Sequence, residues 1–257
     1  MEKHIPNLLT LGNLFCGFLG ILFCLEGDSW RDPVYNIALG GIMVFAGATF
    51  DVFDGMSARL LKVSSPIGGE LDSLADVVTF GLLPSVIVYK MLVLTQTSWL
   101  YLFYADDVPV LALISFLIAA CAAIRLAKFN VDTTQYKTFK GMPSPANGMF
   151  FASLPLMLST TSPLFDFDAT DIILNPITLI GFTILLSWLM VSNLPLFSFK
   201  FSSKKWEDNK YIYIFLILSV ILFAMLLWAS IPVILFLYVI LSYFNKPKTQ
   251  NEIQSAD

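Results

Sequence analysis

The chain has 257 residues, of which 57% are hydrophobic and 13% are charged. Soluble domains average about 25% charged residues, so this composition excludes a water-soluble enzyme, a disordered chain and a disulfide-stapled secreted domain. A formal net charge of −4 gives no reason to expect nucleic-acid binding. The apolar residues fall in long runs between short polar pieces, a pattern that predicts a polytopic helical membrane protein.

A helix needs roughly 20 residues to cross the hydrocarbon core. The candidate spans lie near Leu8–Leu25, Tyr35–Val52, Leu71–Leu94, Pro109–Ala127, Asn147–Ser159, Ile173–Val191 and Tyr211–Tyr243. The last run is too long for one crossing, and Ser230 and Pro232 can break it into two short spans. We therefore predict an all-α bundle of about eight transmembrane helices. It would form one domain over residues 1–244, followed by a polar, disordered tail at 245–257.

The lysine and arginine residues predict the orientation of this bundle. With a cytoplasmic N-terminus and an even number of spans, all 15 of them except Arg31 and Lys90 lie on the cytoplasmic side. An odd number of spans would move Lys246 and Lys248 outward. The positive-inside rule therefore favours a multi-pass protein of the cytoplasmic membrane with both termini in the cytoplasm.

Four aspartates lie near the ends of the second and third apolar runs. A charged side chain at membrane depth is unfavourable in free energy. Asp51 and Asp54 stand at i and i+3, so they share one face of a helix. Asp72 and Asp76 stand at i and i+4, and Gly68 lies one turn earlier on the same face. Because like charges repel, a cation is expected between the two pairs. Oxygen ligands without histidine or cysteine favour Mg²⁺, Mn²⁺ or Ca²⁺, and four carboxylates can hold two ions.

Small residues accompany these acids and would leave room for a ligand. Gly55, Ala58 and Gly68 lie on the acidic faces, where they also allow close helix approach. Arg59, one turn beyond Asp54, is placed to meet a phosphate. Solvated helix-end acids and an ion-transport site are alternative interpretations. Because the acids cluster beside the basic face rather than at the midplane, we favour catalysis at the membrane surface.

The spacing of these residues is similar to a known family signature. The chain reads Asp51-Val-Phe-Asp54-Gly55-Met-Ser-Ala58-Arg59, and Gly68, Asp72 and Asp76 follow after gaps of eight, three and three residues. This segment resembles the signature of the CDP-alcohol phosphatidyltransferase family. Three further stretches resemble the members of that family that use serine: Asn13–Gly20, Glu70–Gly81, and Ala122–Asn130 with Gly141–Ala146.

The resemblance implies a metal-dependent transfer of the phosphatidyl group from CDP-diacylglycerol to an alcohol, with release of CMP. It implies Mg²⁺ or Mn²⁺, two ions held by the four aspartates, and a homodimer in the membrane. Carried over to this sequence, it implies that Asp76 also takes the proton of the attacking hydroxyl. The nucleotide and its phosphates would be bound by Gly55, Ala58, Arg59 and Gly68.

The resemblance favours L-serine as the acceptor, whose carboxylate would need a fixed cation. Arg125, within the Ala-Ala-Ile-Arg run, is the first candidate for that cation, and Lys137 and Lys140 are further candidates. The positive-inside rule explains these lysines equally well. A transferase that uses glycerol 3-phosphate or an inositol phosphate is the alternative, and a cation transporter is a less favoured one.

Three polar residues recur in the first apolar run. Asn7, Thr10 and Asn13 stand at i, i+3 and i+6, which places them near one face of a helix. They could contact the nucleotide or form hydrogen bonds to other helices, and we favour the second interpretation.

Overall fold

The structure is a computed structural model that describes residues 4–26, 32–63, 65–95, 97, 104–105, 108–131, 139–160, 169–196 and 206–244. Within these residues the chain forms α1 (Ile5–Leu25), α2 (Pro33–Leu61), α3 (Pro66–Asp76), α4 (Leu83–Leu94), α5 (Phe116–Val131), α6 (Ser144–Ser159), α7 (Thr170–Ile173), α8 (Pro176–Val191), α9 (Trp206–Leu226) and α10 (Ser230–Phe244). Two short antiparallel pairs also form, β1 (Tyr104–Ala105) with β2 (Val108–Pro109) and β3 (Phe139–Lys140) with β4 (Pro195–Leu196). The predicted tail at 245–257 lies outside the described residues.

The predicted helical membrane bundle is confirmed. Within the described residues, five helical stretches have the length and composition to cross a membrane: Ile5–Leu25, Pro33–Leu61, Ile67–Leu94, Val110–Val131 and Ile212–Ser242. The stretch Ile67–Leu94 is α3 and α4 joined through a π-helical turn at Val77–Leu82. A shorter apolar helix, α8, adds to this set.

The last of these stretches is a hairpin rather than one straight helix. Phe215 of α9 and Tyr238 of α10 have ring centroids 5.9 Å apart, whereas a straight helix would separate them by about 35 Å. A 3₁₀ turn at Leu227–Ala229 makes the reversal, and Leu227 adopts a left-handed φ of 47°. The predicted break in this run is confirmed, directly before Ser230.

The ends of the second and third helices differ from the prediction. The hydropathy pattern predicts that the second span ends near Val52 and that the third begins near Leu71. In the structure, α2 continues to Leu61 and α3 already begins at Pro66. Local signals explain the extra turns, because Lys62 ends α2 in a left-handed conformation and Ser65 caps α3. The four aspartates therefore lie inside helices, not in a solvated loop.

The helices pack closely at their inner faces. α1 lies along α2, and α2 contacts α6. A Cβ atom on Gly41 would lie 2.5 Å from the carbonyl oxygen of Ala152, so the backbones of α2 and α6 come together where a glycine permits it. Phe80, Phe150 and Phe151 are fully buried in the centre of the bundle.

The outer faces of the helices carry large apolar side chains. Leu8 and Phe15 on α1, Ile177 and Trp188 on α8, and Val220 on α9 are all more than half exposed. Exposed apolar surface of this extent would be unfavourable in water but suits contact with lipid tails. The bundle is therefore built to face a bilayer.

A connection at one end of the bundle sets where α6 begins. β3 pairs with β4, and the backbone N–H of Gly141 donates to the carbonyl oxygen of Leu194 at 2.9 Å. Gly141 has a φ of +75°, and a Cβ there would lie 2.5 Å from the carbonyl oxygen of Met190. Only glycine fits this turn, which brings the start of α6 beside the end of α8.

Candidate active site

The four aspartates come from α2 and α3, two helices that both pack against α1. Asp51 and Asp54 lie on α2, and Asp72 and Asp76 lie on α3. The Ser65 hydroxyl caps α3 by accepting from the backbone N–H of Gly68 at 3.0 Å. Asp76 is the last residue of α3, directly before the π-helical turn. Turns of this kind are frequent at functional sites.

Three of the carboxylates form a tight group. Asp51, Asp72 and Asp76 each offer an oxygen, and these oxygens all lie within 4.8 Å of one another. Asp76 is only 7% exposed, whereas Asp51 and Asp72 are half-buried. The Oδ1 atom of Asp72 is buried without a hydrogen-bond partner among the described residues. An unpaired oxygen beside two further carboxylates fits a hard divalent cation, so this acidic group could hold a metal.

The fourth aspartate lies beside this group rather than within it. Asp54 is 6% exposed, and its Oδ2 atom accepts a hydrogen bond from the Thr10 hydroxyl at 2.7 Å. Asn13 makes the corresponding contact one turn further along α1, donating from Nδ2 to Oδ1 of Asp76 at 3.1 Å. The predicted hydrogen bonds from Thr10 and Asn13 to other helices are therefore confirmed. That their partners are two of the four aspartates was not foreseen.

A cavity of about 250 Å³ opens next to Asp54 and Asp72. It is lined by Pro6, Asn7, Thr10, Asp54, Gly55, Ala58, Val63, Ser65, Gly68, Gly69 and Asp72. The structure thus brings together Gly55, Ala58 and Gly68, the small residues singled out in the sequence. Asn7 also lines this space.

Arg59 does not line this cavity. Its side chain is exposed, and its Nε donates to the carbonyl oxygen of Gly55 at 2.9 Å, within its own helix. A Cβ on Gly55 would lie 3.7 Å from a terminal nitrogen of Arg59. The guanidinium therefore lies over the glycine, at the border of the cavity.

An apolar groove also lies along α1, further from its N-terminus than the cavity. The groove has a volume of about 530 Å³ and is lined by Leu11, Leu14, Phe15, Phe18, Ile21, Val78 and Leu82. Thr10 belongs to the cavity and Leu14, one turn later, belongs to the groove. The cavity with its two aspartates and the apolar groove thus follow each other along the same helix.

Arg125 of α5 lies near the acidic group. It is half-buried on α5, interacts electrostatically with Asp76, and places NH1 3.4 Å from the hydroxyl of Ser144 at the start of α6. Its Nε is buried and makes no hydrogen bond within the part of the chain that the structure describes. Of the two predicted partners, Lys137 lies outside the described residues, and only the backbone of Lys140 is described, in β3.

A second cavity, of about 570 Å³, lies between the ends of α5 and α8. It is lined by Ile124, Arg125, Ala127, Lys128, Phe129, Val131, Met190, Val191, Ser192 and Asn193. Two cationic side chains and two neutral polar ones therefore share this space with apolar residues. Sequence reasoning missed Ser192 and Asn193, because only the packing of α8 against α5 brings them near Arg125.

The chain matches a family model along most of its length. The model is that of the CDP-alcohol phosphatidyltransferases, and it matches residues 3–244. The chain belongs to this family. In this phosphatidyltransferase, the signature segment at 51–76 supplies both the acidic group and the small residues of the cavity.

Three curated relatives of this chain are named as the same enzyme. A CDP-diacylglycerol–serine O-phosphatidyltransferase of Bacillus subtilis is 35% identical over 198 residues, which cover 77% of this chain and 92% of that protein. A protein of the same name from Helicobacter pylori is 32% identical over 218 residues, 84% of this chain and 80% of that protein. A third, from Saccharomyces cerevisiae, is 31% identical over 201 residues, 70% of this chain and 65% of that protein.

Proposed function

We propose that this protein transfers the phosphatidyl group of CDP-diacylglycerol to L-serine, giving phosphatidylserine and CMP as a step of phospholipid biosynthesis. The serine oxygen forms a bond to the phosphorus that carries diacylglycerol, and the bond from that phosphorus to the oxygen of CMP breaks. The hydroxyl proton passes to Asp76. The observation that carries this proposal is the group of Asp51, Asp72 and Asp76 beside a small-residue cavity, in a chain whose relatives bear the name of this activity.

The acidic group is the proposed metal site. Asp51, Asp72 and Asp76 would hold Mg²⁺ or Mn²⁺, and Asp54 would complete a pair of ions from the cavity side. When bound, the ions neutralise the charge of the diphosphate and make its phosphorus easier to attack. Thr10 supports this arrangement by fixing one oxygen of Asp54 through its 2.7 Å hydrogen bond.

Asp76 is the proposed general base. It is the most enclosed member of the acidic group, and it interacts electrostatically with Arg125. A carboxylate in this position can take a proton from a hydroxyl at hydrogen-bond distance. The acceptor would therefore approach from the Arg125 side, while the nucleotide lies on the Asp54 side.

The lipid substrate suits the cavity beside Asp54 and the apolar groove along α1. The cytidine diphosphate would occupy the cavity, where Gly55, Ala58 and Gly68 leave space for it, and Arg59 at the border would meet a phosphate. The acyl chains would follow the apolar groove past Leu14. A headgroup and tails that follow each other along one helix match the order of cavity and groove on α1.

Arg125 is the proposed partner of the serine carboxylate. Its unpaired Nε and its position near Asp76 support this role. A planar guanidinium can bind a carboxylate through two parallel hydrogen bonds. Lys137 and Lys140 are proposed to add positive charge at the same end of the bundle.

The proposed reaction belongs at the cytoplasmic face of the cell membrane. The distribution of lysine and arginine along the chain supports this orientation. We further propose a homodimer, in which residues 1–244 of each subunit form one catalytic domain and 245–257 form a cytoplasmic tail.

One observation favours a second candidate acceptor. The cavity between α5 and α8 contains Lys128 as well as Arg125, and two cations would suit a phosphorylated alcohol such as glycerol 3-phosphate or an inositol phosphate. The same transfer chemistry would then apply to a different hydroxyl.

One assay separates these candidates. Purified protein is mixed with CDP-diacylglycerol and Mn²⁺, and CMP release is measured with serine, glycerol 3-phosphate and inositol phosphate in parallel. The proposal predicts release with serine alone. Release with a phosphorylated alcohol alone would support the second candidate, and release with none of the three would contradict both.

A further inference from the structure

A buried amide connects the first helix to the end of the third. Asn13 has no exposed surface, and its Nδ2 donates to Oδ1 of Asp76 at 3.1 Å. The backbone carbonyl of Asn13 in turn accepts a hydrogen bond from the hydroxyl of Thr79 at 3.0 Å, and Thr79 is also fully buried. Thr79 lies in the π-helical turn that directly follows Asp76. Two contacts therefore join Asn13 to the same short segment, one through its side chain and one through its backbone.

The space around this amide is shaped by a glycine on the neighbouring helix. A Cβ atom on Gly47 of α2 would lie 2.8 Å from Oδ1 of Asn13 and 2.5 Å from Cγ2 of Thr79. Real Cβ contacts do not occur at these distances, so the Asn13 side chain fits only because position 47 is glycine. Oδ1 of Asn13 has no hydrogen-bond partner within the described chain.

This packing allows one orientation of the amide. If the Asn13 amide turned over, its oxygen would face the Asp76 carboxylate and the two would repel. In the observed orientation, the N–H group faces the carboxylate and the oxygen lies next to the space that a side chain at position 47 would fill. The amide is thus constrained by Asp76 and by the space beside Gly47, and Thr79 holds the backbone of the same residue.

We propose that Asn13 is a positioning residue that orients the Asp76 carboxylate for the transfer reaction. Because Asn13 occupies Oδ1, the other oxygen of Asp76 is directed to the acidic group and to the acceptor hydroxyl. The π-helical turn ties this orientation to the fold by bringing Thr79 back to the same asparagine. The inference rests on the proposed function, in which Asp76 binds metal and takes the hydroxyl proton.

A positioning role predicts a specific kinetic pattern for Asn13→Ala. Without the amide, the Asp76 carboxylate can rotate, so kcat and the affinity for Mn²⁺ should each fall by about 10- to 100-fold, the usual effect of losing such a partner. At saturating Mn²⁺, the KM for CDP-diacylglycerol should stay unchanged, because the cavity beside Asp54 is lined by Thr10 and not by Asn13.

The experiment compares Asn13→Ala with Cys16→Ala, which also removes a buried side chain from α1. Both are purified in detergent, and three quantities are measured: kcat and KM with serine, the affinity for Mn²⁺ by electron paramagnetic resonance without substrate, and the melting temperature. The proposal predicts that Cys16→Ala matches the wild type in kcat and Mn²⁺ affinity. If Asn13→Ala matches Cys16→Ala in both, the proposal is wrong.

A second variant keeps the test decisive if Asn13→Ala does not fold. Gly47→Ala keeps the residues Asn13, Thr79 and Asp76 in the sequence, but its Cβ atom would displace the Asn13 amide and the Thr79 side chain. It should therefore lower kcat and Mn²⁺ affinity, as Asn13→Ala does. Unchanged values in a folded Gly47→Ala protein would overturn the proposal. If the wild type transfers to none of the acceptors while Asn13→Ala still weakens Mn²⁺ binding, the proposed function fails and the positioning role stands.

Discussion

Replacing Asp76 by asparagine separates the chemistry of the site from its stability. The change keeps the shape of the side chain and an oxygen that can accept from Asn13, but it removes a charge and the ability to take a proton. A general base typically raises a rate by about 10²- to 10⁴-fold. We therefore expect kcat to fall by about this factor or more. Nucleotide binding should persist, because Asp76 does not line the cavity beside Asp54.

In the absence of metal, the same variant should be at least as stable as the wild type. The oxygens of Asp51, Asp72 and Asp76 lie within 4.8 Å of one another. At this separation and an effective dielectric of about 20, each ionised pair repels by roughly 3.5 kcal/mol. At a pH that ionises all three carboxylates, Asp76→Asn removes two of the three pairs, so its melting temperature in EDTA at that pH should equal or exceed that of the wild type.

The assay for this variant needs a control that removes a different carboxylate from the same helix. Glu70→Gln serves, because Glu70 is exposed on α3 and lies outside the acidic group. We expect Glu70→Gln to retain wild-type CMP release. Substantial CMP release by Asp76→Asn would refute its role as base, and a lower melting temperature in EDTA would refute the argument from repulsion.

Three further predictions concern other parts of the site. Arg125→Lys should raise the KM for serine and leave the KM for CDP-diacylglycerol unchanged, since lysine cannot bind a carboxylate in the same two-bond geometry; an unchanged serine KM would count against this role. Ala58→Leu should raise the KM for CDP-diacylglycerol by filling the cavity, whereas Met56→Leu, on an exposed face of α2, should not; equal values in the two variants would argue against nucleotide binding there. Chelation with EDTA should abolish transfer and Mn²⁺ should restore it, and activity that persists in EDTA would exclude the metal site.

The acidic site could be predicted from the sequence because its residues are close along the chain. Asp51 and Asp54 share a helix face, as do Asp72 and Asp76, and only two neighbouring helices are needed to bring the pairs together. The helix hairpin near the C-terminus was likewise predictable, because the length of the apolar run and the local breakers both appear in the sequence.

Other features depend on tertiary packing and could not be predicted in this way. The partners of Thr10 and Asn13 are about 40 and 60 residues away, and no local spacing identifies them. The second cavity, which contains Arg125, depends on how α8 packs against α5. The span boundaries were missed for a different reason, since hydropathy marks where apolar residues stop, whereas Lys62 and Ser65 determine where the helices stop.

The most direct test of the central claim follows the acceptor into the lipid product. Purified protein is incubated with CDP-diacylglycerol, Mn²⁺ and radiolabelled serine, and the label in the lipid phase is compared with the CMP released. The account predicts equal amounts of labelled phosphatidylserine and CMP, with both lost in Asp76→Asn. CMP release without label in the lipid, or labelled lipid formed equally well by Asp76→Asn, would contradict it.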